Sequence, residues 1–156
     1  MAFGMKNILQ GGFAANYSEA SVEELNKEYG MYLMDGEQIT MGFKLVRDAL
    51  IFTDKRIVLT DKQGATGTKM SVTSINLFSI TDVKMETSGF GFDDSELTFT
   101  YINSPELKGH HVTYASHKLE FPKKYNVQSL YKILQELAYE NCLRINGLDK
   151  YPKICT

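Results

Sequence analysis

From Glu37 to Phe121 the apolar positions fall into seven short runs, and after Pro122 their spacing changes to that of a helix. Ile39, Met41, Phe43 and Leu45 alternate with Gln38, Thr40, Gly42 and Lys44, which predicts a strand with one buried face. Arg47-Asp48 turns the chain into Ala49 to Thr53, and Asp54-Lys55 turns it again into Arg56 to Thr60. Both runs carry consecutive apolar residues, Leu50-Ile51-Phe52 and Ile57-Val58-Leu59, rich in branched side chains, and predict heavily buried strands. Lys62-Gln63-Gly64 is the next turn. Thr66 to Ile75 then alternates Met70 and Val72 with Lys69, Ser71 and Thr73. A fifth run covers Ile80 to Thr87, and a sixth alternates Leu97, Phe99 and Tyr101. The seventh spans His110 to Phe121, with a change of parity between Val112-Tyr114 and Leu119-Phe121 that predicts a bulge.

Helical periodicity brackets the strands. Ser21-Val22-Glu23-Glu24 has the form of a capping box. Val22, Leu25, Tyr29, Tyr32 and Leu33 then lie on one helical face, with Gly30 weakening the helix and Asp35-Gly36 ending it. Beyond Pro122, Asn126 is the expected N-cap of a long helix from Val127 to Ile145. Its apolar stripe is Val127, Leu130, Tyr131, Leu134, Leu137, Ala138, Cys142 and Ile145, and Gly147 is its stop. Leu143 falls nearly opposite that stripe. Strands first and one capping helix last predict a mainly β fold with flanking helices: a seven-stranded bent β-barrel plugged by its C-terminal helix.

Composition narrows the function more by exclusion than by assignment. The chain has 156 residues, 43% of them hydrophobic and 23% charged, as in one ordinary globular domain. A formal net charge of −2 gives the whole molecule no bias toward nucleic acid, and membrane binding is not expected. No stretch approaches the ~20 apolar residues of a membrane span. Cys142 and Cys155 have no metal-ligand spacing and make no disulfide framework, so a reducing, cytoplasmic setting is expected. Gly64 to Lys69 lacks the adjacent Gly-Lys of a phosphate loop, and Gly89-Phe90-Gly91 lacks the third glycine of a dinucleotide fingerprint. His110 and His111 point to opposite faces of a strand, and no zinc triad forms around His117. Asp93, Asp94 and Glu96 lack the ligand order of a calcium loop. No cofactor, metal or catalytic residue is expected, and the chain is not read as an enzyme.

Three segments carry a family resemblance: Glu37-Gln38-Ile39, the run from Arg47 to Arg56, and Gly-Phe-Asp-Asp-Ser-Glu-Leu from Gly91 to Leu97. Within the seven-strand order they resemble the bacterial pleckstrin-homology-like family, over roughly Leu33 to Leu143. The most specific piece is the Thr53-Asp54-Lys55-Arg56 hairpin after an apolar strand. One departure is Asn76-Leu77-Phe78, which stands where a Pro-Tyr pair is expected. The resemblance implies a partly open barrel, a tendency to form ring-like homo-oligomers, and no established ligand. The domain is then expected over residues 37–147, with an N-terminal extension at 1–36 carrying the short helix and a tail at 148–156.

Two kinds of surface follow as candidates. A non-catalytic, oligomerising protein-interaction module would contact itself, in a ring, or an unknown protein or peptide, through Val22, Leu25, Tyr29, Phe90, Phe92 and Leu143. Phe90 and Phe92 serve equally as plugs of the barrel end. The alternative is a lipid- or anion-binding module at a membrane surface, using Lys44, Arg47, Lys55 and Arg56. That set is sparse, because Asp48 and Asp54 neutralise part of its field.

Overall fold

The computed structural model describes residues 20–44, 48–63, 68–89, 94–123 and 125–150. All seven expected strands are present, in the order β1 (Ile39–Lys44), β2 (Asp48–Thr53), β3 (Arg56–Gln63), β4 (Lys69–Asn76), β5 (Ile80–Glu86), β6 (Ser95–Ile102) and β7 (Tyr114–Phe121). They follow helix α1 (Val22–Tyr29) and precede helix α2 (Val127–Ile145). Their ladders form a four-stranded sheet, β1-β2-β3-β4, and a three-stranded sheet, β5-β6-β7, both antiparallel. No ladder joins the two among the described residues, so the expected barrel is not closed. The chain divides after Asn76 into two compact units, one for each sheet.

In the first unit, pairing in register places Ala49, Ile51, Thr53, Val58 and Thr60 on one face of the sheet. Phe43, Leu50, Phe52 and Ile57 lie on the other, and all of these residues are buried. Burial of both faces explains the continuous apolar runs of β2 and β3. Helix α1 covers the first face, packing Leu25 and Tyr29 against Ile39, Ala49, Ile51 and Val58. Its approach depends on Gly42. A Cβ there would stand 2.7 Å from Leu25 Cδ1 and 3.0 Å from the Leu50 carbonyl oxygen. As the sequence suggests, α1 loses regular form at Gly30, where a single 3-10 turn, Gly30–Tyr32, takes over. Only half of the capping box forms. The Ser21 hydroxyl accepts from the Glu24 amide at 3.2 Å, while the Glu24 carboxylate is taken by Lys44.

In the second unit α2 packs on β5 and β6. Val127, Leu130, Leu134 and Ala138 are buried as the stripe predicts; Tyr131, Leu137, Cys142 and Ile145 are only half-buried. Asn126 occupies the N-cap position without a side-chain bond, a correction to its expected role. Strand β7 begins at Tyr114, and His110 to Thr113 belong to the preceding turn. The expected bulge in β7 is absent: β6 and β7 pair without a shift from Ser95–Phe121 to Ile102–Tyr114. Register shifts occur instead in β1, between Ile39 and Met41, and in β5, between Ile80 and Asp82.

Candidate functional site

The cations that would serve an anion site are engaged by the chain's own carboxylates. Lys44 on β1 and Lys62 on β3 lie on the face that α1 covers and reach up beside it. Lys44 pairs with Glu24 and, at 2.6 Å, with Glu28; Lys62 pairs with Glu28 at 3.0 Å. Hydrogen bonds from Lys44 and then Lys62 hold the Glu28 carboxyl at about 2, while Glu24 and then Glu28 push Lys44 above its ordinary range and Glu28 does the same to Lys62. The arrangement straps the helix across the sheet. Tyr29 lies under the strap, where burial and then Glu28 push its hydroxyl up.

Arg56 is committed more deeply. Its Nε donates to Glu37 Oε1 and one terminal nitrogen to Glu37 Oε2, both at 2.9 Å. The same guanidinium donates to the Tyr32 carbonyl and the Ser74 hydroxyl, each at 2.6 Å. Glu37 is fully buried at its side chain and also accepts from the Met34 amide at 2.8 Å and the Thr53 hydroxyl at 2.7 Å. Burial alone would raise the Glu37 pKa; Arg56, the Met34 amide and Thr53 outweigh it and hold the carboxyl at about 2. One charged pair thus ties the loop after α1 to the β2–β3 hairpin and to β4. Glu37 and Arg56 stand in two separate sequence motifs, and nothing in their spacing alone says which acid Arg56 meets. Their opposite charge beside a hairpin was the available signal.

Lys55 remains exposed, 3.5 Å from the Asp35 carbonyl oxygen, and Arg47 lies outside the described residues. Of the candidate contact residues, Leu25 and Tyr29 are spent on the chain's own sheet, because the helix buries that face there. They are corrected from contact residues to core. Val22 stays exposed at the helix start, Leu143 is half-buried, and Phe90 and Phe92 lie outside the described residues. Large apolar side chains outside that candidate set are exposed: Met31 and Met34 after α1, Phe78 before β5, Tyr114 at the start of β7 and Tyr139 on α2. Tyr139 was legible, since it lies off the helical stripe.

Asn141 was missed as well. It is fully buried on α2, and its Nδ2 donates to the carbonyls of Leu77 at 2.7 Å and Ile80 at 2.8 Å. Those carbonyls bracket the 3-10 turn Leu77–Ser79 that leads into β5, so one side chain fixes the helix to a break in the strand pattern. Its neighbour Cys142 donates through Sγ to Thr81 O at 3.4 Å. His117 faces Phe99 at 5.8 Å between ring centres, and burial lowers its pKa. Among the described residues no three His, Cys, Asp or Glu side chains gather in a way that could hold a metal, and no helix is long and apolar enough to cross a membrane.

Comparison with known proteins agrees with this architecture. The chain is 43% identical over 96 residues to "Uncharacterized protein YjqA" of Bacillus subtilis, covering 62% of this chain and 76% of that one. Among solved structures it resembles a DUF1696 family protein with a pleckstrin-homology domain from Shewanella loihica, with a TM-score of 0.63 and 30% identity over 80% of this chain and 99% of the other. A pleckstrin homology domain from Shewanella amazonensis gives a TM-score of 0.55 and 27% identity, covering 87% and 98% of the two chains. A PH domain-containing protein from Exiguobacterium sibiricum, 22% identical with a TM-score of 0.59, shares the fold over 83% of this chain and 68% of its own. The family model "Bacterial PH domain" matches residues 8–138, and on that match and this fold the chain belongs to the bacterial PH domain family.

Proposed function

We propose that this chain is a non-catalytic, oligomerising protein-interaction module of the cytoplasm, whose partners are further copies of itself, in a ring, or a protein or peptide. One contrast carries the reading. Lys44 and Arg56 are bound by Glu24, Glu28 and Glu37, while Phe78, Tyr114 and Tyr139 stand 47%, 61% and 58% exposed. Aromatic side chains held out by rigid elements are the kind that anchor protein interfaces. The candidate contacts that remain are these three, Val22 and Leu143, together with Phe90 and Phe92. The alternative, a lipid- or anion-binding module at a membrane surface, needs several cations to converge. Among the described candidates only Lys55 forms no ion pair, and Asp54 adjoins it in the chain.

Light scattering and liposome co-sedimentation separate the two readings. A mass several times 17.7 kDa at micromolar concentration, with no sedimentation on anionic vesicles near physiological salt, is expected. A monomer mass across a hundredfold dilution, or salt-sensitive sedimentation lost in a Lys44→Glu/Arg47→Glu variant, would sink the proposal.

A further inference from the structure

Helix α2 ends on a cap in which three hydrogen bonds interlock. At Gly147 the chain turns left-handed, with φ +70°. The Gly147 amide donates to the Arg144 carbonyl at 3.1 Å, and the Leu148 amide donates to the Leu143 carbonyl at 2.8 Å. That crossed pair is a Schellman ending. Asn146 adds the third bond: its Nδ2 donates to the Cys142 carbonyl at 2.8 Å, the same oxygen that accepts from the Asn146 amide at 3.2 Å. The left-handed turn calls for glycine, and glycine after asparagine has a chemical consequence. With no Cβ beside it, the glycine nitrogen is unhindered in approaching the preceding carboxamide. Asn146 is the only asparagine in the chain that glycine follows, and both residues are exposed to water.

We infer that Asn146-Gly147 is a deamidation site guarded by the α2 cap, and that its conversion holds the cap open. The reaction needs only water and hydroxide. The Gly147 nitrogen gives its proton to hydroxide and attacks Asn146 Cγ. The N–Cγ bond forms, the Cγ–Nδ2 bond breaks, and Nδ2 takes up a proton and leaves as ammonia. Water then opens the cyclic imide at either carbonyl, leaving aspartate or isoaspartate. In the closed cap both reacting groups are held, the Gly147 amide by Arg144 and Nδ2 by Cys142. Reaction therefore waits for the last turn to fray, the least protected part of a helix. The product cannot rebuild the cap. A carboxylate at 146 has no proton for the Cys142 carbonyl, and it sets negative charge at the negative end of the helix. Arg144, the basic residue of the last turn, reaches instead to Asn141 Oδ1 at 3.3 Å. Isoaspartate also lengthens the main chain by a methylene group ahead of Gly147, which parts the Gly147 and Leu148 amides from their acceptors. The opened end then lies little more than one turn from the Asn141 bonds to Leu77 and Ile80.

Two measurements on the full chain test this. In the first, the protein is held at mildly alkaline pH, in buffer and in concentrated urea, then digested. Mass spectrometry of the peptide spanning 146–147 reads replacement of the side-chain amide by hydroxyl. Conversion should be at least ~10-fold slower in buffer than in urea, where the cap is gone. In urea Asn146 should convert ahead of every other asparagine. In the second, amide hydrogen exchange is compared between the parent and Asn146→Asp. Exchange at Gly147 and Leu148 should be at least ~5-fold faster in the variant, with exchange at Leu134 unchanged. Asn146→Ser keeps a neutral donor and has no carboxamide to lose, so its exchange should stay within about twofold of the parent. Equal conversion in buffer and in urea would overturn the guarding. Parent-like exchange in Asn146→Asp would overturn the opening.

Discussion

Replacing Arg56 by Met is the most direct probe of what holds the first unit together. The substitution keeps much of the apolar stem and deletes the guanidinium, with its bonds to Glu37, Tyr32 and Ser74. Glu37 would remain as a buried carboxylate with only the Met34 amide and the Thr53 hydroxyl as donors. Breaking one side of a buried ion pair costs about 3–5 kcal/mol. Protonation sets a ceiling on the part due to the stranded charge: moving a carboxyl from its ordinary 4.5 to neutrality at pH 7 costs about 3 kcal/mol. The lost bonds to Tyr32 and Ser74 add to that, so about 3–5 kcal/mol stands. For a chain of this size it corresponds to a fall in Tm of about 6–20 °C. Thermal unfolding followed by circular dichroism at pH 7 reads it directly. The pH dependence supplies an independent arm. With a folded pKa of about 2 against 4.5 unfolded, the unfolded chain binds the extra proton at low pH. Stability from Glu37 is therefore complete above about pH 4.5 and lost as pH falls toward 2, by about 3 kcal/mol. Glu37→Gln should flatten that part of the profile relative to the parent, and Arg56→Met with Glu37→Leu should cost less than the two single changes summed. An Arg56→Met protein that melts within a degree of the parent would refute the argument.

Two further substitutions probe contacts in each unit. Asn141→Leu keeps the volume but leaves the Leu77 and Ile80 carbonyls without their donor, an expected loss of about 2–4 kcal/mol by urea unfolding; a loss under half a kcal/mol would mean that the apolar stripe alone positions α2. Gly42→Ala puts a methyl against Leu25 Cδ1 and the Leu50 carbonyl, and should cost about 1–3 kcal/mol. Leu25→Val in the same chain should return part of that cost, since the side chain can yield and the Leu50 backbone cannot; an unchanged midpoint for Gly42→Ala would show that α1 does not press on the sheet.

What was legible in the sequence was whatever periodicity encodes. Strand alternation places all seven strands, and the stripe from Val127 to Ala138 gives the long helix and its buried face. Periodicity cannot say which copy of a sheet an amphipathic helix covers. The face of α1 reads equally well as a contact for a neighbour, and only the close approach over Gly42 shows that Leu25 and Tyr29 belong to the chain's own core. The β7 bulge was misplaced for a related reason. A parity change in a run of residues marks a bulge only if the whole run is strand, and the part before Tyr114 is a turn. Polar partners are the least legible. Asn141 sits among apolar stripe positions, and its acceptors Leu77 and Ile80 are 64 and 61 residues away in the chain. Nothing local in the sequence links them.

The engaged charges also bear on how this member of the bacterial PH family recognises anything. Lys44, Lys62, Arg56 and Lys118 each lie against one or two carboxylates of the chain itself. A cation already paired on both sides gains little from an incoming phosphate, because the new bond must displace an old one and leave a carboxylate behind. Among the described residues, aromatic side chains at Phe78, Tyr114 and Tyr139 stand exposed beside these engaged charges. Such groups meet partners by shape and apolar burial. The internal ion pairs therefore do two things at once. They fix α1 and the hairpins in place, and they occupy Lys44, Lys62, Arg56 and Lys118, which an incoming anion would otherwise meet.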